Sequence, residues 1–201
     1  MSARSCRSLD LSGGDVRLYE NALVDPDRLF RVLMDEISWA QESITLFGRT
    51  HKMPRLTAWM GDVSYRYSGL THPPAPWSDA VQEVRKIVEQ IAGARFNGVL
   101  GNLYRDGQDS MGWHADDEAS LGPEPVIASV NLGETRQLRF KPKPHWRDAG
   151  QAEAFGIALP PGSVLVMRGD TQANWLHAVP KSARPLGPRI NLTFRWIVAA
   201  A

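Results

Sequence analysis

The stretch "RINLTFRW", residues 189–196, alternates without a break. Arg189, Asn191, Thr193 and Arg195 fall on one side of an extended chain, and Ile190, Leu192, Phe194 and Trp196 on the other. The apolar side reads as a core face of a sheet. The polar side puts two guanidiniums on a strand whose other residues suit burial, and a charge buried alone is costly. Either both arginines pair with carboxylates of the protein, or they hold an anion.

Working back from this strand, "FNGVLGNLY", "VIASVNLG", "RQLRFKP" and "GSVLVMRG" are further short strand candidates, and helical periodicity is absent after Gly93. Before Gly93 the pattern differs. Asp25-Pro26 is an N-cap followed by proline at the first helical position, with Leu29, Phe30, Leu33 and Ile37 at helical spacing. A second helix carries Trp77, Ala80, Val81, Val84, Ile87, Val88 and Ile91 on one stripe and stops at Gly93. Between them, residues 43–70 mix aromatic and β-branched residues with glycine breaks, which predicts short strands and loops. The expected class is α+β with a mainly β core: a β-sandwich or jelly roll braced by N-terminal helices.

The 201 residues are 43% hydrophobic and 22% charged, with seven tryptophans, enough apolar material for a sizeable core. The formal net charge is +1, so any nucleic-acid role needs basic residues gathered on one face. A single cysteine, Cys6, excludes a disulfide framework and a thiolate-rich metal site. Residues 1–15 have no apolar signal-peptide segment and are expected to be a flexible leader; no run is long enough to span a membrane. The expected compartment is the cytoplasm, or the nucleus in a eukaryote.

In "GWHADDE", residues 112–118, His114 and Asp116 are two apart, so an extended backbone turns both to one side. His177 in "NWLHAVP" is a second imidazole downstream. Two histidines and a carboxylate make the facial triad of non-haem iron oxygenases, which leaves positions open on the metal. His51, His72 and His145, in polar or proline-bounded loops, compete less well. Beside such a centre, the two arginines of residues 189–195 suit a small dicarboxylate, which guanidinium holds bidentately. Asn102 and Tyr104 of "GNLYRDG" share one strand face and either bind the same anion or are ordinary strand polarity.

Taken together, "NLYRDG", "HADDE", "WLHAVP" and "PRINLTFR" resemble the AlkB family of iron(II)- and 2-oxoglutarate-dependent dioxygenases. "FGRTHKMPR", "GDVSYRYSGL" and "PAPW" further resemble its duplex-DNA repair subgroup, and the likeness covers roughly residues 44–197. The resemblance implies a double-stranded β-helix, a jelly-roll variant. It implies one domain over 16–201, with helices and a nucleotide-recognition region at 16–95 and the catalytic core at 96–198. It implies iron ligands at His114, Asp116 and His177. The 2-oxoglutarate contacts then fall on Asn102, Tyr104, Arg189, Asn191, Thr193 and Arg195, with one arginine at each carboxylate end. The implied reaction uses Fe(II), 2-oxoglutarate and O2 to oxidise an N-methyl group on a damaged base, with succinate and formaldehyde as products.

A methyl group on a pairing edge lies inside the duplex, so the base must be flipped out or single-stranded. By the same resemblance Phe47, with Gly48 and Arg49, is the finger that fills the gap; the alternative for Phe47 is a core position. Tyr65 and Tyr67 match pocket aromatics, with a tyrosine at 67 where the subgroup has phenylalanine. Asp117 matches the family's residue near the base, and a carboxylate there favours a cationic lesion; Glu118 is the second candidate. Lys141, Lys143, His145 and Arg147 of "KPKPHWR" form a basic loop that, with Arg49, Lys52 and Arg55, is suited to phosphates. The expected partner is DNA, duplex favoured and single strands possible, with RNA open; a monomer is expected. The rival readings are the same oxidation on RNA or protein, and a jelly-roll binding protein with a structural metal.

Overall fold

The computed structural model describes residues 5–9, 11–46, 49–67, 69–147 and 153–198. In chain order these form β1 (Ser5–Leu9), β2 (Asp15–Glu20), α1 (Pro26–Glu36), β3 (Ser43–Leu46), β4 (Arg49–Lys52), β5 (Leu56–Gly61), β6 (Tyr65–Tyr67), β7 (Leu70–His72) and α2 (Asp79–Ala92). There follow β8 (Gly98–Tyr104), β9 (Met111–His114), β10 (Ile127–Gly133), β11 (Arg136–Pro142), α3 (Pro144–Arg147), β12 (Phe155–Leu159), β13 (Ser163–Arg168), α4 (Thr171–Asn174), β14 (Trp175–Val179) and β15 (Arg189–Arg195).

Two antiparallel sheets face each other. The larger has the order β1-β2-β13-β10-β15-β8-β5 and the smaller β12-β11-β14-β9. β15, the strand with which the sequence is read, lies inside the large sheet between β10 and β8, and all seven of its residues are buried. Its Ile190, Leu192 and Phe194 join Val99, Val130 and Val164 in one apolar layer, against which α1 and α2 pack through Leu33, Val81, Val84 and Val88. Each such buried side chain contributes roughly 1.5–3 kcal/mol. A second apolar layer lies between the sheets, with Val16, Leu18, Leu100, Leu138, Phe140 and Leu165. The large sheet is therefore covered on both faces, and the polar side of β15 looks into the space between the sheets.

The helix ends follow from local chemistry. Asp25 caps α1 by accepting a hydrogen bond from the Arg28 N–H at 3.0 Å, and Pro26 opens the helix. Ser78 caps α2, and Gly93 ends it in the left-handed region at φ 57°, where a glycine has no Cβ penalty. Among the described residues no helix is long and apolar enough to cross a membrane.

Three expectations are corrected. Ser5–Leu9 is not a flexible leader: it pairs antiparallel with β2, which pairs in turn with β13. β1 is an edge strand with four of its five residues exposed, so it carries no hydrophobic alternation to betray it. The division at 95/96 does not separate sheet from support, since β2 and β5, with β1 ahead of them, complete the large sheet. Trp196 is not on the core face; it lies past the end of β15 and is half exposed.

Gly98, opposite Arg195 in the β8–β15 ladder, is a packing constraint. A Cβ there runs into the Trp59 ring and Ile197, and Trp59 cannot yield because it is buried and stacked on Tyr65 at 4.8 Å. Gly98→Ala is expected to destabilise the fold by about 1–3 kcal/mol. Urea unfolding checks this, and an unchanged midpoint contradicts it.

Candidate metal and anion site

The ladder registers assemble the site. On the large sheet, Asn131 of β10 pairs with Asn191 of β15, which pairs with Asn102 of β8. Two residues along, Arg189 pairs with Tyr104. On the small sheet, His177 of β14 stands opposite His114 of β9. Because side chains two apart share a face, these registers turn Asn102, Tyr104, Arg189, Asn191, Thr193 and Arg195 towards the two histidines across a common cavity, which all of them line.

The imidazoles of His114 and His177 lie 4.2 Å apart between centroids. Asp116 Oδ2 is 3.9 Å from His177 Nε2 and has no hydrogen-bond partner among the described residues. The other oxygen, Oδ1, accepts a hydrogen bond from Arg195 Nη2 at 2.5 Å. Among the described residues no group of three His, Cys, Asp or Glu side chains is already drawn together to hold a metal ion; Asp116 presents one oxygen to the imidazoles and gives the other to Arg195. His114 Nδ1 is 2.9 Å from the Gly112 carbonyl, which accepts its proton and so leaves Nε2 as the lone-pair nitrogen. The Asp116 backbone N–H donates to Gln172 Oε1 at 2.9 Å.

Burial pushes the His114 imidazole below its ordinary pKa. It pushes His177 down to about 3, with neighbouring His114 adding to the effect. For Asp116 burial acts upward, but the Arg195 guanidinium and the imidazoles outweigh it and hold the carboxyl at about 2. At neutral pH the cluster is thus two neutral imidazoles and one carboxylate. A bare carboxylate oxygen, a free imidazole nitrogen set by its neighbour, and no thiolate fit a divalent ion of borderline hardness.

The two arginines differ in degree. Arg195 is mostly committed: besides Asp116 it sits 5.6 Å over the Tyr65 ring and donates to the Thr193 carbonyl, with only its Nε unpartnered among the described residues. Arg189 donates through Nη2 to Asn131 Oδ1 and lies 5.0 Å over the Tyr104 ring. Its Nε and Nη1 are buried with no hydrogen-bond partner among the described residues. Asn191 and Thr193 hold each other and Ser129, with Thr193 Oγ1 donating to Asn191 Oδ1 at 3.0 Å and Asn191 Nδ2 donating to Ser129 Oγ at 2.7 Å. Asn102 accepts from Arg55 Nε at 2.7 Å.

The acids after Asp116 part company. Asp117 is exposed and pairs with Lys143 Nζ at 2.8 Å, away from the cluster. Glu118 instead turns inward, where Tyr65 Oη donates to its Oε1 at 3.2 Å and its Oε2 is buried without a partner among the described residues. Burial raises its pKa. Phe47 and Gly48 lie outside the described residues; Arg49 is exposed on β4, and Tyr67 ends β6. "KPKPHWR" is not one loop: Lys141 lies on β11, and His145 and Arg147 on α3. Asn131 and Gln172 escaped the sequence reading, and Arg55, expected among the exposed phosphate contacts, is instead buried against Asn102. The parity that picks out Arg189 also finds Asn131 on β10, whereas nothing in "DTQANW" marks Gln172.

These features define a class, metal-dependent oxygenases of the jelly-roll type. A model of the 2OG-Fe(II) oxygenase superfamily matches residues 17–195. Alpha-ketoglutarate-dependent dioxygenase alkB homolog 3 of Bos taurus is 41% identical over 179 residues, covering 87% of this chain and 63% of its own. DNA oxidative demethylase ALKBH2 of Mus musculus is 39% identical over 181 residues, 87% of this chain and 76% of its own. The solved structure of OsALKBH1 shares the fold with a TM-score of 0.66 at 17% identity, over 93% of this chain and 100% of that one. The chain therefore belongs to the AlkB family within the 2OG-Fe(II) oxygenase superfamily. It spans 63% of the length of the Bos taurus relative.

The depressed imidazole pKa values have a stability consequence. An unfolded histidine takes up a proton below about pH 6.5, whereas folded His177 stays neutral to about 3. Stability from this residue is thus full above about pH 6.5 and drains as pH falls towards 3. The metal-free protein is expected to show a lower Tm at pH 5 than at pH 7.5, with a shallower fall in His177→Gln. Calorimetry at the two pH values checks this; equal slopes contradict it.

Proposed function

We propose that this chain is an Fe(II)- and 2-oxoglutarate-dependent dioxygenase that oxidatively demethylates N-alkylated bases in DNA, such as 1-methyladenine and 3-methylcytosine. Formaldehyde leaves, and 2-oxoglutarate is decarboxylated to succinate. The observation that carries the reading is Arg189, a fully buried guanidinium whose Nε and Nη1 have no hydrogen-bond partner among the described residues, on the cavity shared with His114, Asp116 and His177. A buried cation with bare donors calls for an anion, and a planar fork suits a carboxylate. The names of the relatives, alpha-ketoglutarate-dependent dioxygenase and DNA oxidative demethylase, support the same chemistry.

In this reading His114, Asp116 and His177 hold Fe(II), which with 2-oxoglutarate and O2 supplies the oxidation of the methyl group. Arg189 takes the carboxylate of 2-oxoglutarate remote from the metal, over the face of Tyr104. Arg195 serves as a positioning residue: its hydrogen bond to Asp116 fixes which carboxylate oxygen faces the ion. Asn191 and Thr193 keep the Ser129 side of the cavity in place rather than spending their donors on the cosubstrate. Val179, Leu138 and Leu159 line the same space and exclude water.

Lesion recognition moves to Glu118. Both 1-methyladenine and 3-methylcytosine are cations, and a half-buried carboxylate with one oxygen unpartnered among the described residues favours them over neutral bases. Tyr65 orients that carboxylate, and Tyr67 is assigned to the base stack. Phe47, Gly48 and Arg49 are assigned to the gap left by the flipped base, which favours duplex DNA as a substrate. The protein acts as a monomer.

The test is formaldehyde and succinate release from 1-methyladenine in single-stranded DNA, duplex DNA and RNA. Equimolar products from DNA are expected; no turnover on DNA, or turnover on RNA alone, contradicts the reading. Glu118→Ala is expected to lose at least about tenfold in kcat/KM on the cationic lesion, or about 1.4 kcal/mol, while Asp117→Ala stays within about threefold. The reverse order of losses returns lesion recognition to Asp117.

A further inference from the structure

We propose that the outer face of the four-stranded sheet binds the single-stranded DNA that flanks the target base, with Trp113 as its stacking platform. The proposal rests on the nucleic-acid reading above and extends it to a surface on the other side of the sheet from the cavity.

Trp113 stands next to His114 in β9, so the two side chains leave the strand on opposite sides. His114 faces the cavity; Trp113 is 42% exposed, one of few large apolar side chains left open among the described residues. β9 is the free edge of its sheet. A strand of nucleic acid crossing that edge can place one base inside, near His114, and its neighbour outside, against Trp113.

The surface around Trp113 is built for a planar, anionic ligand. Positions 176 and 178 of β14 and 156 and 158 of β12 leave on this side as Leu176, Ala178, Gly156 and Ala158; Ala178 is buried, and the Gln137 and Arg139 side chains lie against Gly156. Between them β11 presents Gln137, Arg139 and Lys141. The outward positions of these four strands therefore carry two cations and no carboxylate. Lys141 Nζ lies 4.5 Å from the Trp113 ring centroid. Lys141 sits over one face of the Trp113 ring, and an exposed ring with a cation on one face and a second cation, Arg139, on the same strand can stack a base on its other face and hold the phosphates next to it. Neither core packing nor the metal cluster requires a tryptophan at this outward position.

Single-stranded rather than duplex DNA is the occupant, because stacking on Trp113 needs a base whose face is free. Where the target is flipped from a duplex, the same contact requires the neighbouring base to open as well.

Fluorescence anisotropy with labelled, unmethylated oligo(dT), without cosubstrates, tests the proposal on the full chain. Trp113→Ala is expected to weaken binding at least about fivefold, the lower end for one base–aromatic stack. Trp113→Phe, which keeps a ring, is expected to retain most of the affinity, and Trp196→Ala, which removes an exposed tryptophan elsewhere, to bind as the parent does. Lys141→Gln is expected to lower the salt slope of log Kd by about 0.7, one single-strand phosphate contact. Wild-type affinity in Trp113→Ala, equal losses in Trp113→Phe or Trp196→Ala, or an unchanged slope in Lys141→Gln overturns the proposal. So does tighter binding of oligo(U) than of oligo(dT), which makes RNA the partner. Since the oligonucleotide carries no lesion, this result is independent of whether demethylation is observed.

Discussion

The ion pair between Arg195 and Asp116 is the interaction on which the site depends. Both side chains are almost completely buried, at 2% and 1% exposure, where an unpaired charge costs several kcal/mol. Each is tolerable only because of the other. Arg195 belongs to β15 of the large sheet, while Asp116 follows β9 of the small one. The bond therefore joins the two layers at the point where they must stay apart enough to leave a cavity. It also divides the carboxylate, with one oxygen spent on the guanidinium and the other turned bare to the imidazoles. A buried pair of this kind adds little net stability; what it contributes is geometry.

The same logic runs along β15. Its apolar side is held by the helices behind the sheet, which fixes the register so that the polar side cannot turn away from the cavity. Arg189 is then delivered to a place where protein acceptors satisfy only part of its fork. Structural stability is supplied by Ile190, Leu192 and Phe194, and binding potential by the residues between them. One strand serves two layers because its side chains have a period of two.

Much of this was legible in the sequence for a single reason, that alternation in a strand survives without knowledge of its partners. β15, the cap and proline of α1 and the stripe of α2 all carry local signals. The ligand candidates His114 and Asp116 came from the same parity, which also extends to Glu118. The resemblance put Asp117 ahead of Glu118 for the lesion, whereas the chain turns Asp117 outward to Lys143. β1 was missed because an exposed edge strand has no apolar pattern to show. The partner of Arg189, Asn131, depends on the register between β10 and β15. Gln172 depends on a fold-back over 56 residues, and no local pattern encodes that.

The outer face of the small sheet extends the account from chemistry to substrate handling, since β9 puts a metal-ligand candidate on one side and an exposed aromatic on the other. The central claim remains that the cavity is built round an anion held by Arg189. Calorimetric titration of 2-oxoglutarate into the Mn(II)-loaded protein, compared with Arg189→Met, tests it most directly, because methionine keeps apolar bulk and removes the fork. The account predicts one binding site per chain and a loss of at least about 30-fold in affinity in the variant, the lower end for removing one partner of a buried charged pair. Equal affinity in the two proteins would contradict it.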